Sequence, residues 1–173
     1  TGILARRPAP VQVSYLGYPG TMGADYIDYL IADRIVAPEE SFAAFSEKIV
    51  HLPDSFQPND SKRRVADAVP TRAEAGLPEN AFVFCSFNNS CKILPEIFSL
   101  WMRLLIAVPE SVLWLPQYNS AEARNLRREA MARGVAAERL IFAPLLPTPE
   151  EYLSRLRLGD LFLDTLPYNA HTT

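Results

Sequence analysis

The sequence predicts an α/β protein built on parallel, doubly wound sheets. Three observations predict it. From Ala81 onward, short apolar β-prone runs alternate with segments of helical periodicity. Near the start, a β-prone run empties into a glycine-rich turn, Gly17 to Gly23. Between these regions lies a polar stretch holding Pro58, Pro70 and Pro78, which divides the chain into residues 1–56, a linker at 57–79, and residues 80–173.

In the first portion, Val11 to Leu16 reads as a strand, followed by the turn that holds Gly17, Gly20 and Gly23. Tyr29 to Asp33 is a second strand. Ser41 to Lys48 reads as a short helix capped by Ser41, with Phe42, Phe45 and Ile49 on one face. Ile49 to Leu52 is a third strand, with His51 at its end. Within the linker, Arg72 to Ala75 is sufficient for one helical turn. In the second portion, strands are expected at Ala81–Phe87, Ser111–Leu115, Leu140–Ala143 and Asp160–Leu163. Helices are expected at Pro95–Val108, from an Asn119 or Ser120 cap to Arg133 with Gly134 as the stop, and at Glu150–Leu158. Strand–helix alternation of this kind requires right-handed crossovers and a parallel sheet.

Composition excludes several classes. With 173 residues, 49% of them hydrophobic and 21% charged, the chain can bury a full core. A net charge of −3 argues against nucleic acid as a partner; Arg124, Arg127, Arg128 and Arg133 are offset by Glu122 and Glu129 on the same segment. No apolar run reaches membrane-spanning length, because Arg103 interrupts the longest one, and no secretory signal pattern opens the chain. Cys85 and Cys91 have no partner pattern for a disulfide or zinc site. They read as reduced structural thiols, so the expected location is cytoplasmic.

Ligands of doubly wound sheets sit beyond the carboxyl ends of the strands. That rule directs attention to Phe87–Lys92, Pro116–Tyr118, Pro144–Thr148 and Thr165–Thr173. His171, Thr172 and Thr173 either cap a helix or, if a helix starts at the Thr pair, converge on an anion such as phosphate. Lys92 is either a surface lysine or a compact charge able to neutralise a departing diphosphate. Tyr152 and Arg155, one turn apart, either stack a base and touch ribose or phosphate, or pack on the sheet with the arginine solvated. The Gly17–Gly23 spacing is not the dinucleotide fingerprint.

These stretches together carry a resemblance. Arg7 to Asp33 (RPAPVQVSYLGYPGTMGADYIDYLIAD), Phe84 to Pro95 (FCSFNNSCKILP), Ser111 to Leu115 (SVLWL) and Leu163 to Thr173 (LDTLPYNAHTT) follow one another as in the catalytic region of the O-GlcNAc transferases. The resemblance includes the bacterial tetratricopeptide-linked and SPINDLY-like members, and it spans nearly the whole chain. It implies a B-type glycosyltransferase fold, two Rossmann-like domains facing a cleft. Residues 1–56 would be the end of the N-terminal catalytic domain. Residues 80–173 would begin the C-terminal, nucleotide-sugar-binding domain.

Carried across residue by residue, the resemblance makes Lys92 catalytic, seated on the donor diphosphate and stabilising the leaving nucleotide. Asn89 stands where the family usually has Gln and would contact the donor with shorter reach. His171, Thr172 and Thr173 would bind phosphates, Arg155 the nucleotide, and Tyr152 would stand beside the uracil in place of a His. Leu16 and Gly17 would line the sugar pocket, with Pro116 and Tyr118 closing it from the other side. Ala170 departs from the family's Gly before the histidine.

The implied activity is inverting transfer of N-acetylglucosamine from UDP-GlcNAc to Ser or Thr hydroxyls of proteins. The alternatives are GDP-fucose-dependent O-fucosyl transfer and a sugar-nucleotide-binding module without turnover. No cofactor or metal is expected, since no D-x-D pair stands at a strand end. The partners implied are a UDP-sugar and a protein or peptide acceptor, with tetratricopeptide repeats in the full-length chain. The resemblance also implies an excerpt of a larger enzyme, because the family's acceptor-side histidines lie upstream of anything present. Such a piece is expected to be a poor catalyst alone.

Overall fold

A computed structural model describes residues 2–173. They fall into two compact units, one ending at Lys62 and the other running from Arg63 to Thr173.

The first unit is a three-stranded parallel sheet of β1 (Val13–Ser14), β2 (Tyr29–Ala32) and β3 (Lys48–His51), in the order β1-β2-β3. In the middle strand, Leu30 and Ala32 point into the core, 1% and 0% exposed, beside Ile27, Ala37 and Phe56. Tyr29 and Ile31 alternate with them and are half-buried, the period-two pattern of a strand covered on one face. Asp33, at the carboxyl end of β2, accepts hydrogen bonds from the N–H groups of Ile35 (3.0 Å), Val36 (2.8 Å) and Phe56 (2.9 Å), fixing the turn and the returning chain. His51 closes β3, with Nε2 2.7 Å from the Ala37 carbonyl.

The helix expected at Ser41–Lys48 is not formed. A 3-10 helix spans Glu39–Ala44 instead, entered through Pro38, and Ser41 Oγ donates to the Pro38 carbonyl (2.7 Å) rather than capping. The nine residues between Pro38 and β3 are too few to repay α-helix nucleation and still turn into the strand. Phe42 is left exposed.

The second unit is a four-stranded parallel sheet of β4 (Phe82–Cys85), β5 (Ser111–Pro116), β6 (Leu140–Ala143) and β7 (Leu161–Phe162), in the order β6-β5-β4-β7. The connections are α1 (Pro95–Ala107), α2 (Ser120–Met131) and α3 (Pro149–Arg155). Proline at the first position starts α1 and α3 without loss of a hydrogen bond. Asn119 caps α2 by accepting from the Glu122 N–H at 2.8 Å. Gly134 ends it at φ +80°, where the Gly134 and Val135 N–H groups bond the Met131 and Ala130 carbonyls.

On one face of this sheet, Phe84, Leu113, Leu115 and Leu140 pack with Phe98, Trp101, Met102 and Leu105 of α1 and Ala130 of α2. On the other, Val83, Cys85, Phe87, Val112, Trp114 and Ala143 pack with Leu77, Tyr152 and Leu156. Every residue of β5 is buried. Burying one large apolar side chain contributes roughly 1.5–3 kcal/mol, so this two-sided core dominates the stability of the unit.

The stretch 57–79 is more than a connector. From Arg63 it clusters with the second unit. Leu77 is 4% exposed, Ser154 Oγ donates to the Ala68 carbonyl (2.7 Å), and Arg72 pairs with Asp160 at 2.9 Å. No helix among the described residues is long and apolar enough to cross a membrane.

Candidate functional site

The strand order of the second unit selects its ligand position. From β4 the chain moves outward through β5 to β6, then crosses back to lay β7 on the opposite side of β4. The order therefore reverses between β4 and β7. At such a switch point two connections leave in opposite directions and open a crevice beyond the carboxyl ends. The segments that leave there are Ser86–Lys92 after β4 and Leu163–Thr173 after β7.

A polar network joins these two segments. Lys92 Nζ donates to the Asn169 carbonyl at 2.8 Å, so the ammonium lies two residues from His171 in the chain. Beneath it, Asn88 Nδ2 donates to Thr165 Oγ1 at 2.8 Å, and the Thr165 hydroxyl donates to the Tyr168 carbonyl at 2.6 Å. Asn88 and Thr165 are 1% and 0% exposed. Asp164 Oδ1 accepts the N–H groups of Thr165 and Ala170, each at 2.7 Å, and Oδ2 accepts Asn169 Nδ2 at 2.8 Å. Burial pushes the Asp164 carboxyl up, but the hydrogen bonds from Asn169, Thr165, Ala170 and Asn88 outweigh it, so the group stays ionised below the ordinary carboxylate range.

The structure thus brings Lys92 and the His171 turn together through Asn169, which lies 77 positions from Lys92 in the chain. His171, Thr172 and Thr173 are exposed, and residues 164–173 contain no helix. Asn89 caps a 3-10 helix at Ser90–Lys92, its Oδ1 accepting the Cys91 N–H at 3.2 Å. That turn aims Lys92. Cys91 is exposed, whereas Cys85 is buried and its thiol is pushed up to about 11 by that burial and by Asp160. Only Cys85 is a structural thiol.

Arg155 is neither solvated nor open. At 5% exposure, its guanidinium lies 5.2 Å from the Phe87 ring centroid, 5.7 Å from Trp114 and 5.6 Å from Tyr152. It donates to the Pro144 carbonyl at the end of β6. Burial lowers its pKa, partly countered by Tyr152. The arginine therefore ties three strand exits together. Tyr152 meets Phe87 edge-to-face at 5.9 Å, and burial raises its phenol. Pro116 is the buried last residue of β5. Tyr118 is exposed, its phenol raised by burial and by the nearby Glu122 and Cys91.

In the first unit, Leu16 and Gly17 follow β1. Leu16 holds φ +63°, a left-handed conformation that costs a side-chain-bearing residue about 1–2 kcal/mol. The loop beyond it is anchored by Glu47, whose carboxylate accepts Thr21 Oγ1 (2.7 Å) and the Met22 N–H (2.6 Å).

Asn88, Asp164 and Thr165 are not among the site residues assigned from the sequence. The signal was present in the adjacent Asn88–Asn89 pair and the Asp-Thr step after β7. A sequence does not show which of two neighbouring amides is buried. Among the described residues, no three His, Cys, Asp or Glu side chains come together as a metal site would need.

Comparison with known proteins agrees with this geometry. The profile of glycosyl transferase family 41 matches residues 1–68 and 59–173. An Arabidopsis thaliana protein named as a probable UDP-N-acetylglucosamine–peptide N-acetylglucosaminyltransferase, SEC, is 43% identical over 99% of this chain and 18% of its own length. The Arabidopsis SPINDLY protein, which carries the same enzyme name, is 35% identical over 99% of this chain and 19% of its own. A point variant of Thermobaculum terrenum O-GlcNAc transferase superposes with a TM-score of 0.80 at 32% identity, covering 98% of this chain and 32% of that one. The chain spans less than a fifth of the length of these two plant relatives. Its two parallel-sheet units are portions of the B-type glycosyltransferase fold, and the chain belongs to glycosyl transferase family 41.

Proposed function

We propose that this chain supplies the donor-nucleotide site of an inverting glycosyltransferase that moves N-acetylglucosamine from UDP-GlcNAc to Ser or Thr hydroxyls of proteins. One observation carries the reading: the Lys92 ammonium meets the His171 turn across the β4–β7 switch point. In the reaction, the acceptor oxygen attacks the anomeric carbon from the face opposite the diphosphate. The carbon–oxygen bond to the diphosphate breaks, and its electron pair stays on the β-phosphate. The acceptor proton passes to a base outside these residues. Lys92, with N–H and hydroxyl donors of the turn, neutralises the charge as it develops, a contribution of the kind whose loss costs about 10²–10³ in turnover. Charge stabilisation is assigned to these groups rather than to a metal ion.

The remaining contacts belong to the same proposal. Asn89, His171, Thr172 and Thr173 hold the diphosphate, and Tyr152 and Tyr118 flank the base and sugar beside Pro116. Arg155 supports the base end through Tyr152. Leu16 and Gly17 line the sugar. The full-length protein carries tetratricopeptide repeats that present protein acceptors, and it works in the cytoplasm. The relatives named above are named for UDP-N-acetylglucosamine or O-GlcNAc, which favours that donor over GDP-fucose.

The test is turnover by the full-length protein with UDP-GlcNAc and, separately, GDP-fucose. Lys92→Ala is expected to lower kcat with UDP-GlcNAc by two orders of magnitude or more while the thermal midpoint holds. Near-normal turnover by K92A would overturn the role of Lys92. Transfer from GDP-fucose alone would overturn the donor, and UDP binding without any transfer would identify a binding module.

A further inference from the structure

We propose that Asp164 is a positioning residue for the diphosphate site, an internal template on which the His171 turn and Lys92 are both set. The inference deepens the donor-site reading above and rests on it. A carboxylate inside the turn assigned to a diphosphate is unfavourable on charge alone, since like charges repel. Its presence there calls for an offsetting contribution, and the geometry supplies one.

Asp164 accepts at both oxygens, and each accepted bond holds a different part of the turn. Oδ1 takes the Thr165 N–H at the base of the turn and the Ala170 N–H immediately before His171, both at 2.7 Å. The loop from 164 to 170 is thereby closed on one atom. Oδ2 takes Asn169 Nδ2 at 2.8 Å, and the carbonyl of that same Asn169 receives Lys92 Nζ at 2.8 Å. Asp164, Asn169 and Lys92 form a continuous chain of contacts from the exit of β7 to the exit of β4.

A buried pair locks the assembly from below. Asn88, 1% exposed, donates to Thr165 Oγ1 at 2.8 Å and lies 3.4 Å from Asp164 Oδ1. Charge-assisted hydrogen bonds of this kind are shorter and about twice as strong as neutral ones, so a single ionised oxygen can hold two N–H groups in a fixed direction. With the turn already ordered, a ligand loses less conformational entropy on binding.

Charge and positioning act in opposite directions, which makes the inference testable. Were Asp164 only a negative charge, removing it would tighten the binding of any diphosphate. As a template, its removal weakens binding. The experiment titrates UDP by calorimetry into the full-length protein and its variants D164A, D164N and N169A, with donor KM, kcat and thermal midpoint measured alongside.

D164A is expected to raise the UDP Kd and the donor KM by roughly tenfold or more, the equivalent of about one charge-assisted hydrogen bond, with a smaller change in kcat. D164N keeps one acceptor oxygen for the Thr165 and Ala170 N–H groups and is expected to recover most of that loss. N169A removes an exposed side chain and breaks the link to Oδ2; it is expected to weaken UDP binding and stands as the test if D164A does not fold. Unchanged or tighter binding in D164A, or in N169A where D164A is unfolded, would overturn the inference and leave the donor site standing. A wild-type protein that binds no UDP would overturn both.

Discussion

Leu16 shows how a single residue can separate stability from function. Its φ of +63° is a conformation that glycine adopts freely and leucine does not, and the side chain is 47% exposed, so the core does not compensate for the strain. Leu16→Gly is expected to leave stability unchanged or to raise it by up to about 1 kcal/mol in a denaturant titration. If the side chain lines the sugar pocket, the same substitution raises the donor KM; an unchanged KM would remove Leu16 from the site. Arg155 teaches a different lesson. Its helix position was legible, because Glu150–Leu158 has helical patterning. Its cage was not, since Phe87, just after β4, and Trp114 of β5 reach it from far earlier in the chain. Nothing local in a sequence distinguishes a solvated guanidinium from one buried by distant aromatics.

At the scale of elements, boundaries written in capping residues were read correctly. Pro95 opens α1, Asn119 caps α2 and Gly134 ends it, each for a backbone reason that acts within a few residues. Two substitutions test those reasons separately. Asn119→Ala is expected to cost about 1 kcal/mol through the lost bond to the Glu122 N–H. Gly134→Ala costs a similar amount, about 1–2 kcal/mol, through φ alone, because no atom lies within 4 Å of the added Cβ. Midpoints unmoved in urea titration would contradict both assignments. The helix expected at Ser41–Lys48 gives way to a 3-10 turn at Glu39–Ala44, although Phe42, Phe45 and Ile49 hold helical spacing. Periodicity does not report how few residues separate Pro38 from β3. In the 57–79 stretch the contacts are hidden from the sequence for a related reason. Its polar composition hides the anchors Leu77 and Arg72, each of which acts through contacts made elsewhere in the fold.

For the whole molecule, the strand order decides where chemistry can happen, and strand order is the property least visible in a sequence. Alternating strands and helices implied parallel sheets, but not that β7 would lie beside β4. That one adjacency sets the Lys92 ammonium on the Asn169 carbonyl, two residues before His171. The acid limit of the fold is also a whole-molecule property. In Asp33, burial raises the carboxyl, but the Phe56, Val36 and Ile35 N–H groups lower it further, and Glu47 behaves likewise through Thr21 and Met22. A depressed folded pKa gives stability that is complete above the unfolded value, about 4, and is lost as pH falls through the folded one. The fold is therefore expected to hold from neutrality to about pH 5 and weaken steeply below pH 4. Asp33→Asn should flatten that acid limb in melts recorded across pH, and an unchanged limb would show that Asp33 carries none of it.

The site itself is tested most directly by a crystal structure of the full-length protein with UDP bound. The expected result places the β-phosphate within about 3 Å of Lys92 Nζ and in hydrogen-bond contact with the turn at His171, beyond the ends of β4 and β7. A nucleotide seated elsewhere, with Lys92 still on the Asn169 carbonyl, would contradict it.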